Sequence, residues 1–410
     1  MLARGMVIVG AGEAGARAAE QLRERGWNGE ITMIGNEIRA PYERPPLSKN
    51  ALTNEEEPEP TYVHKEDRLT QLNIKLITGT SAVRIDRSAH VIHLNDGGVV
   101  PYERLLLALG AQPRKLPYNT EVTGKLLYLR SFEDAIAIRS KLLPGNKIVV
   151  IGGGFIGLEV AASARTIGCD VTLIEVGSRI LTRGVPIEIA SLVEEQHRAA
   201  GVTFKLGTAI DQIRQSPNGH VIEFADGTSL HCDAIIVGIG AVPVTDLAAD
   251  NGLSIDNGIC ADAKLATSDP DIFAAGDCCS FPHEIYDGKR IRLEAWRNAQ
   301  DQGIHAAGSM LGAVHAYKVI PWFWSDQYEK TLQVVGFPDY GSRTVQRMTK
   351  DGSALFFHLT EDNRLVAASG FGSPSLSKEI RVAEMLIERG YRQEEPGVLE
   401  NGDVKLKSLL

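Results

Sequence analysis

The sequence predicts an α/β protein of two or three domains, on three observations. A strand, a glycine turn, a helix and a second strand follow one another in residues 6–34. The same unit recurs in residues 148–175. The chain is 410 residues long, which is more than one ordinary hydrophobic core serves.

In the first unit the strand is Met6-Val7-Ile8-Val9, and the turn is Gly10-Ala11-Gly12-Glu13-Ala14-Gly15. A helix should run to about Arg25, with Gly26 as its C-terminal stop, before the strand Ile31-Thr32-Met33-Ile34. In the second unit Ile148-Val149-Val150-Ile151 enters the turn Gly152-Gly153-Gly154-Phe155-Ile156-Gly157. Its helix should stop at Gly168, ahead of the strand Val171-Thr172-Leu173-Ile174-Glu175. Gly10, Gly12, Gly15 and Gly26 thus match Gly152, Gly154, Gly157 and Gly168 in one register.

Each turn glycine has a physical task. The first permits a tight turn, the second lets backbone approach a pyrophosphate, and the third brings helix close to strand. The helix N-terminus then offers unpaired N–H groups to the phosphates. A glycine turn in any α/β protein could look like one such unit, but two in register point to two adenine dinucleotides. FAD and a nicotinamide cofactor are the natural pair, on two Rossmann-like domains.

Glu175 ends the second strand of the second unit, where a carboxylate can accept from both ribose hydroxyls and repels a 2′-phosphate. Val176 and Gly177 follow it, so NADH is expected over NADPH, with Arg179 near enough to oppose that reading. The first unit has two extra residues around Asn28-Gly29. Gly35 therefore stands where the carboxylate would be, and Glu37 is either the ribose ligand or a solvated loop residue. A third segment, Thr267 to Asp277, is a short apolar strand running into Gly276-Asp277. Such a pair is commonly only a turn; after two dinucleotide units, Asp277 reads as a ligand to the ribityl or pyrophosphate part of FAD.

Composition excludes other classes. Net charge is −9, with no basic stripe for nucleic acid. Apolar runs such as Leu105–Leu109 are far below the roughly 20 residues of a membrane helix. The start of the chain reads as a first strand and not a signal peptide, because glycines interrupt it at Gly10 and Gly12. Five cysteines without a C-x-x-C fit a reducing cytoplasm better than a disulfide or zinc framework. Cys278-Cys279 invites a redox reading, although small buried thiols are the plainer one. The ten histidines show no metal-ligand spacing, and no metal is expected.

With Leu107-Ala108-Leu109-Gly110-Ala111-Gln112-Pro113-Arg114, these segments resemble the two-dinucleotide flavoprotein disulfide reductase superfamily, which is glutathione reductase-like. Pro41-Tyr42-Glu43-Arg44-Pro45-Pro46-Leu47-Ser48-Lys49 and Pro321-Trp322-Phe323-Trp324-Ser325-Asp326-Gln327 look like its ferredoxin reductase branch, which serves bacterial aromatic-ring oxygenases and cytochrome P450 systems. The resemblance covers essentially the whole chain. It implies an FAD domain from residues 1–111 and 239–317, an inserted NADH domain at 112–238, and a C-terminal α+β domain at 318–410.

The resemblance also frames individual residues. A disulfide reductase needs a cysteine pair after the first unit, yet residues 1–168 contain no cysteine, and Ser48-Lys49 occupies the stretch. Electrons would then leave the flavin directly. Lys49 is expected beside the flavin N5 and O4, paired with Glu159 on the nicotinamide helix; a surface lysine and a helix-face salt bridge are the plain alternatives. Arg44 and Arg130 suit FAD phosphate or ring oxygens, or a domain interface. Trp296 should begin a helix near the flavin. Trp322 and Trp324 fall on one strand face with Phe323 opposite, either closing the site with Trp324 on the electron path, or packing a core.

The expected activity is that of a ferredoxin–NAD(+) reductase. Hydride passes from NADH to FAD, and single electrons pass to a [2Fe–2S] ferredoxin serving a Rieske-type oxygenase or a cytochrome P450. An acidic ferredoxin would need a local basic patch, which the sequence does not locate. Alternatives are an NADH-dependent rubredoxin reductase or oxidase, and a signalling flavoprotein resembling apoptosis-inducing factor.

Overall fold

Strand-forming residues in both repeats align into parallel sheets, each in its own structural unit. The structure, a computed structural model, describes residues 4–117, 126–217 and 219–410. One unit comprises Met1–Glu43, Pro60–Gln112 and Ala241–Val319; the other comprises Arg44–Glu59, Pro113–Gly240 and Ile320–Leu410.

In the first unit the strand Gly5–Val9 is buried along its whole length. It lies parallel between Ile31–Ile34 and the C-terminal half of Val99–Leu107. Lys75–Ile77 extends one edge and Ile272–Ala274 pairs parallel with Leu105–Leu107 on the other side. The N-terminal half of Val99–Leu107 instead joins an antiparallel ribbon with Val91–Leu94 and Ala82–Asp86. Burial on both faces explains the continuous Val, Ile and Leu runs. The helix Glu13–Glu24 ends at Arg25, and Gly26 follows with φ +88°. The helix packs against Trp296–Met310, and Gly303 permits the approach: a Cβ there would stand 2.3 Å from the Ala14 carbonyl oxygen.

In the second unit five parallel strands run in the order Thr203–Leu206, Asp170–Glu175, Lys147–Ile151, Ala234–Val237, Leu127–Tyr128. The helix Phe155–Ile167 is closed by Gly168 in a left-handed conformation, as its place in the sequence predicts. An antiparallel meander of Ile210–Ser216, Gly219–Phe224 and Ser229–Cys232 packs its apolar face on Val149, Ile151 and Ile235. The C-terminal portion is a five-stranded antiparallel sheet beginning with Trp322–Gln327, with the helix Ser377–Glu388 packed on it. Segment Arg44–Glu59 is tied into this unit by hydrogen bonds. Arg44 Nη1 donates to the Arg130 carbonyl (2.5 Å), Arg139 Nη2 to that of Glu56 (3.1 Å), and Ser163 Oγ to that of Ser48 (2.6 Å).

Candidate functional site

The two glycine turns have the same internal geometry. Gly10 and Gly152 adopt φ of +118° and +110°, and a Cβ on either would strike a carbonyl oxygen, of Ala108 at 2.1 Å or of Gly238 at 2.4 Å. A Cβ on Gly15 or Gly157 would meet the carbonyl of Gly10 or Gly152 at 2.0 and 2.1 Å. These four glycines are therefore demanded by the protein itself. The middle pair is not: nothing lies within 4 Å of a Cβ at Gly12, and only the Gly238 oxygen, at 3.8 Å, near one at Gly154. Open space beside a helix N-terminus, kept clear by a glycine the fold does not need, fits a pyrophosphate at each turn.

Glu175, expected to be the ribose ligand, ends the strand beside the second cradle. Its Oε2 accepts from the Gly153 amide and its Oε1 from the Gly177 amide, both at 2.7 Å. A carboxylate has about four acceptor positions, so lone pairs are left for two hydroxyls. Arg179 is turned away from that task. Its Nη1 donates to the carbonyls of Ile180 (3.1 Å) and Leu181 (2.8 Å), and its Nη2 to that of Val185 (3.3 Å). In the first unit a side chain at position 35 is sterically barred, because a Cβ there would lie 2.7 Å from the Ala11 Cβ. The carboxylate is displaced to Glu37, whose Oε2 accepts from the Tyr42 hydroxyl and whose carbonyl accepts from Gly79 (2.9 Å).

Gly276 follows the strand Ile272–Ala274 with φ +79°, and its amide donates to Gln302 Oε1 at 2.8 Å. Gln302 is fully buried, and its Nε2 has no partner among the described residues. A buried amide donor left over beside Gly276-Asp277 suits a cofactor oxygen. The Asp277 carbonyl accepts from Arg292 Nη1 (3.1 Å). Trp296 does begin a helix. Burial pushes the Glu13 carboxyl up, against the opposing pull of Arg17 and Trp296.

The second unit brings together residues that the sequence scatters. Lys49 Nζ is 3.2 Å from Glu159 Oε1, and Glu159 is only 5% exposed. Ser48 Oγ donates to Glu159 Oε2, and Ser325 Oγ donates to Oε1 at 2.6 Å. Helix spacing makes the cluster possible: Phe155, Glu159 and Ser163 lie four apart on one face. Phe155 stacks edge-on against Phe323 with ring centroids 5.0 Å apart, Glu159 takes Ser325, and Ser163 holds the Ser48 carbonyl. Strand alternation sends Trp322 and Trp324 to the other face, where their rings stack at 5.0 Å. Trp324 Nε1 donates to Asp326 Oδ2 (3.0 Å). Arg130 is fixed through its backbone, accepting from Arg44 and donating to Asp134 Oδ2 (3.0 Å).

Of the expected site residues, Gly10, Gly12, Gly15, Glu37, Asp277 and Trp296 lie in the first unit. Arg44, Lys49, Arg130, Gly152, Gly154, Gly157, Glu159, Glu175 and Trp324 lie in the second. Ser48, Ser325 and Gln302 are additions from the structure. All five cysteines are free, and burial pushes the Cys278 thiol up to about 11. Among the described residues no His, Cys, Asp and Glu side chains cluster as a metal site, and no helix is long and apolar enough to cross a membrane.

Residues 4–303 match the family described as pyridine nucleotide-disulphide oxidoreductase, and residues 322–410 match the reductase C-terminal family. The chain is similar to the ferredoxin–NAD(+) reductase component of the anthranilate 1,2-dioxygenase system of Burkholderia cepacia, at 39% identity over the full length of both. It is also similar to the rubredoxin–NAD(+) reductase of Pseudomonas putida, at 38% identity over 90% of this chain and 96% of that one. Its fold matches the reductase in the covalent putidaredoxin reductase–putidaredoxin complex with a TM-score of 0.93 and 36% identity, covering 99% of this chain and 98% of that one. Two glycine cradles of one design, followed by a C-terminal sheet, are thus the frame of a known group, and this chain belongs to the pyridine nucleotide-disulphide oxidoreductase family, carrying its reductase C-terminal domain.

Proposed function

We propose that the chain is an NADH-dependent ferredoxin reductase, delivering electrons to a [2Fe–2S] ferredoxin that serves a Rieske-type oxygenase or a cytochrome P450. FAD, when bound, supplies the conversion between the hydride of NADH and the single electrons an iron–sulfur cluster accepts. The observation that carries the reading is Ser48-Lys49, standing in the sequence where a disulfide reductase would carry its thiols, in a chain with two turns that fit dinucleotides. With no cysteine before Cys169, the chain offers no thiol relay there.

The residues divide the work by chemistry. The turn Gly10–Gly15, with Glu37 and Asp277, holds FAD; Gly152–Gly157 and Glu175 hold NADH. Lys49 supplies a cation at the flavin ring, where it favours the electron-rich form. Glu159 keeps the ammonium in place and is itself held by Ser48 and Ser325. Arg44 and Arg130 contact FAD oxygens. Trp296 begins a helix near the flavin, and Trp324 closes the site and shortens the path to the docked ferredoxin. The reducing cytoplasm is the setting in which five free cysteines persist.

The test is stopped-flow reduction of the FAD-loaded protein by NADH and by NADPH, followed by turnover with a panel of ferredoxins and a rubredoxin. NADH should be the faster donor and a [2Fe–2S] ferredoxin the best acceptor. Faster turnover with rubredoxin would overturn the assigned partner.

A further inference from the structure

The buried donors around Glu159 do not end at Ser325. Ser325 Oγ accepts from Gln327 Nε2 at 3.1 Å, and Gln327 Oε1 lies 2.8 Å from His197 Nε2. Tyr328 Oη approaches His197 Nδ1 at 3.4 Å, its ring edge-on to the imidazole with centroids 5.1 Å apart. Ser325 and Gln327 are each 1% exposed and His197 is fully buried. His197 stands on the helix Ile187–Ala199, whereas Ser325 and Gln327 share one face of the strand Trp322–Gln327.

The direction of every bond is fixed from one end. A carboxylate only accepts, so the Ser325 hydroxyl hydrogen must point at Glu159. Ser325 then has only lone pairs for Gln327, which must present its amide nitrogen. That orientation leaves the Gln327 oxygen facing His197, so Nε2 carries the hydrogen and Nδ1 accepts from Tyr328. Burial keeps His197 below its ordinary range, consistent with a neutral ring. Four residues from two separated segments donate in sequence toward one carboxylate oxygen, the same one that faces Lys49.

We propose that Ser325, Gln327 and His197 are positioning residues for Glu159. Through them the C-terminal sheet sets how tightly the carboxylate holds Lys49, and hence how much positive charge Lys49 presents. The proposal rests on the reading of Lys49 as the cation at the flavin. Ser325 satisfies one oxygen of Glu159; without that donor the oxygen draws the ammonium closer and withdraws it from its other task.

The test uses the FAD-loaded enzyme and the variants Ser325→Ala, Ser325→Thr, Gln327→Met and Lys49→Met. The flavin midpoint potential is titrated spectroelectrochemically without NADH. Lys49→Met should lower it, and Ser325→Ala and Gln327→Met should lower it less, in the same direction. Ser325→Thr, which keeps the hydroxyl, should restore the wild-type value. Flavin reduction at saturating NADH should slow about tenfold in Ser325→Ala, the scale of one hydrogen bond to a charged group, while NADH affinity stays unchanged. Nitrogen-15 histidine spectra of the wild type should show His197 as the neutral Nε2–H tautomer. If Lys49→Met moves the potential and neither Ser325→Ala nor Gln327→Met does, the relay is only structural and the proposal fails while Lys49 keeps its role. If Lys49→Met leaves the potential unmoved, the placing of Lys49 fails and takes the proposal with it. A His197 found as the Nδ1–H tautomer would overturn the bond order directly.

Discussion

Gly153 donates its amide hydrogen to Glu175 Oε2 at 2.7 Å, whereas Ala11, at the same place in the other turn, abuts Gly35 so closely that no side chain fits there. One methyl group thus decides whether a side chain, and so a carboxylate, can stand at that position after the second strand. Gly153→Ala would bring a Cβ to 3.3 Å from Glu175 Oε2 and 2.8 Å from Ile180 Cγ2. It should raise the KM for NADH about tenfold, as should Glu175→Ala, on the scale of a lost charge-assisted hydrogen bond. Neither variant should gain NADPH activity, because Arg179 stays bound to three carbonyls. Steady-state kinetics with both donors checks this; a Glu175→Ala enzyme that prefers NADPH would contradict the assigned role of Arg179.

The glycines of each turn should separate by phenotype. Gly12→Ala places a methyl in open space and Gly154→Ala one that meets nothing nearer than the Gly238 oxygen at 3.8 Å, so the melting temperature of the apoprotein should stay within about 2 °C of wild type. The first should lose FAD and the second should bind NADH weakly. Gly10→Ala forces a side chain into a left-handed backbone and onto the Ala108 carbonyl, and should cost at least about 2 kcal/mol. Urea denaturation and flavin content distinguish the two outcomes.

How far the sequence disclosed this design differs from residue to residue. Gly26 and Gly168 announce helix ends by their chemistry alone, and both occupy the left-handed region. Glu37 could be named but not explained, because the Ala11–Gly35 contact joins two elements that only folding brings together. Ser48 showed only as half of the Ser48-Lys49 pair, Ser325 and Gln327 only as part of the segment Pro321–Gln327, and His197 not at all. Serine and glutamine are common, and more than 100 residues separate Ser48 and Ser325 from the Glu159 they hold. A trace existed in the pattern: Phe323, Ser325 and Gln327 alternate with two tryptophans, opposite a helix face of Phe155, Glu159 and Ser163. The passage of the chain between units at Gln112 and Ala241 has no periodicity to betray it.

The buried thiols should be chemically silent. Burial pushes Cys232 up to about 12 and Cys278 up to about 11, and raises Cys279 and Cys169 as well. At pH 8 a thiol of pKa 11 is thiolate only to about one part in a thousand. Iodoacetamide on the native protein at pH 8 should modify Cys260 alone, which is partly exposed, and all five cysteines in denaturant. Mass spectrometry of tryptic peptides checks the pattern, and native labelling of Cys278 or Cys279 would reopen a redox role for the pair.

Acid should weaken the C-terminal sheet through His358. Its imidazole lies between Thr344 Oγ1 (3.1 Å) and Ser369 Oγ (2.8 Å), and burial lowers its pKa from 6.5 to about 4. Below pH 6.5 the unfolded chain takes up a proton that the folded chain refuses until about pH 4, so stability falls as pH falls through that window. The limiting slope for one such histidine is about 1.4 kcal/mol per pH unit. Urea denaturation between pH 7 and 4.5 should show a shallower loss in His358→Gln than in wild type; equal slopes would contradict the assignment.

The strand Ile272–Ala274, which flanks Leu105–Leu107, is made more than 160 residues after it, and the helix Trp296–Met310 that seats on Glu13–Glu24 comes later still. A ribosome therefore releases the contiguous residues 113–240, with their own five-stranded sheet, while the earlier sheet still has a bare apolar edge. During synthesis the sheet of residues 113–240 can close first, and the sheet begun by Gly5–Val9 must wait for its last strand. Keeping that edge from pairing with another nascent chain is a burden that this topology places on the cell's chaperones.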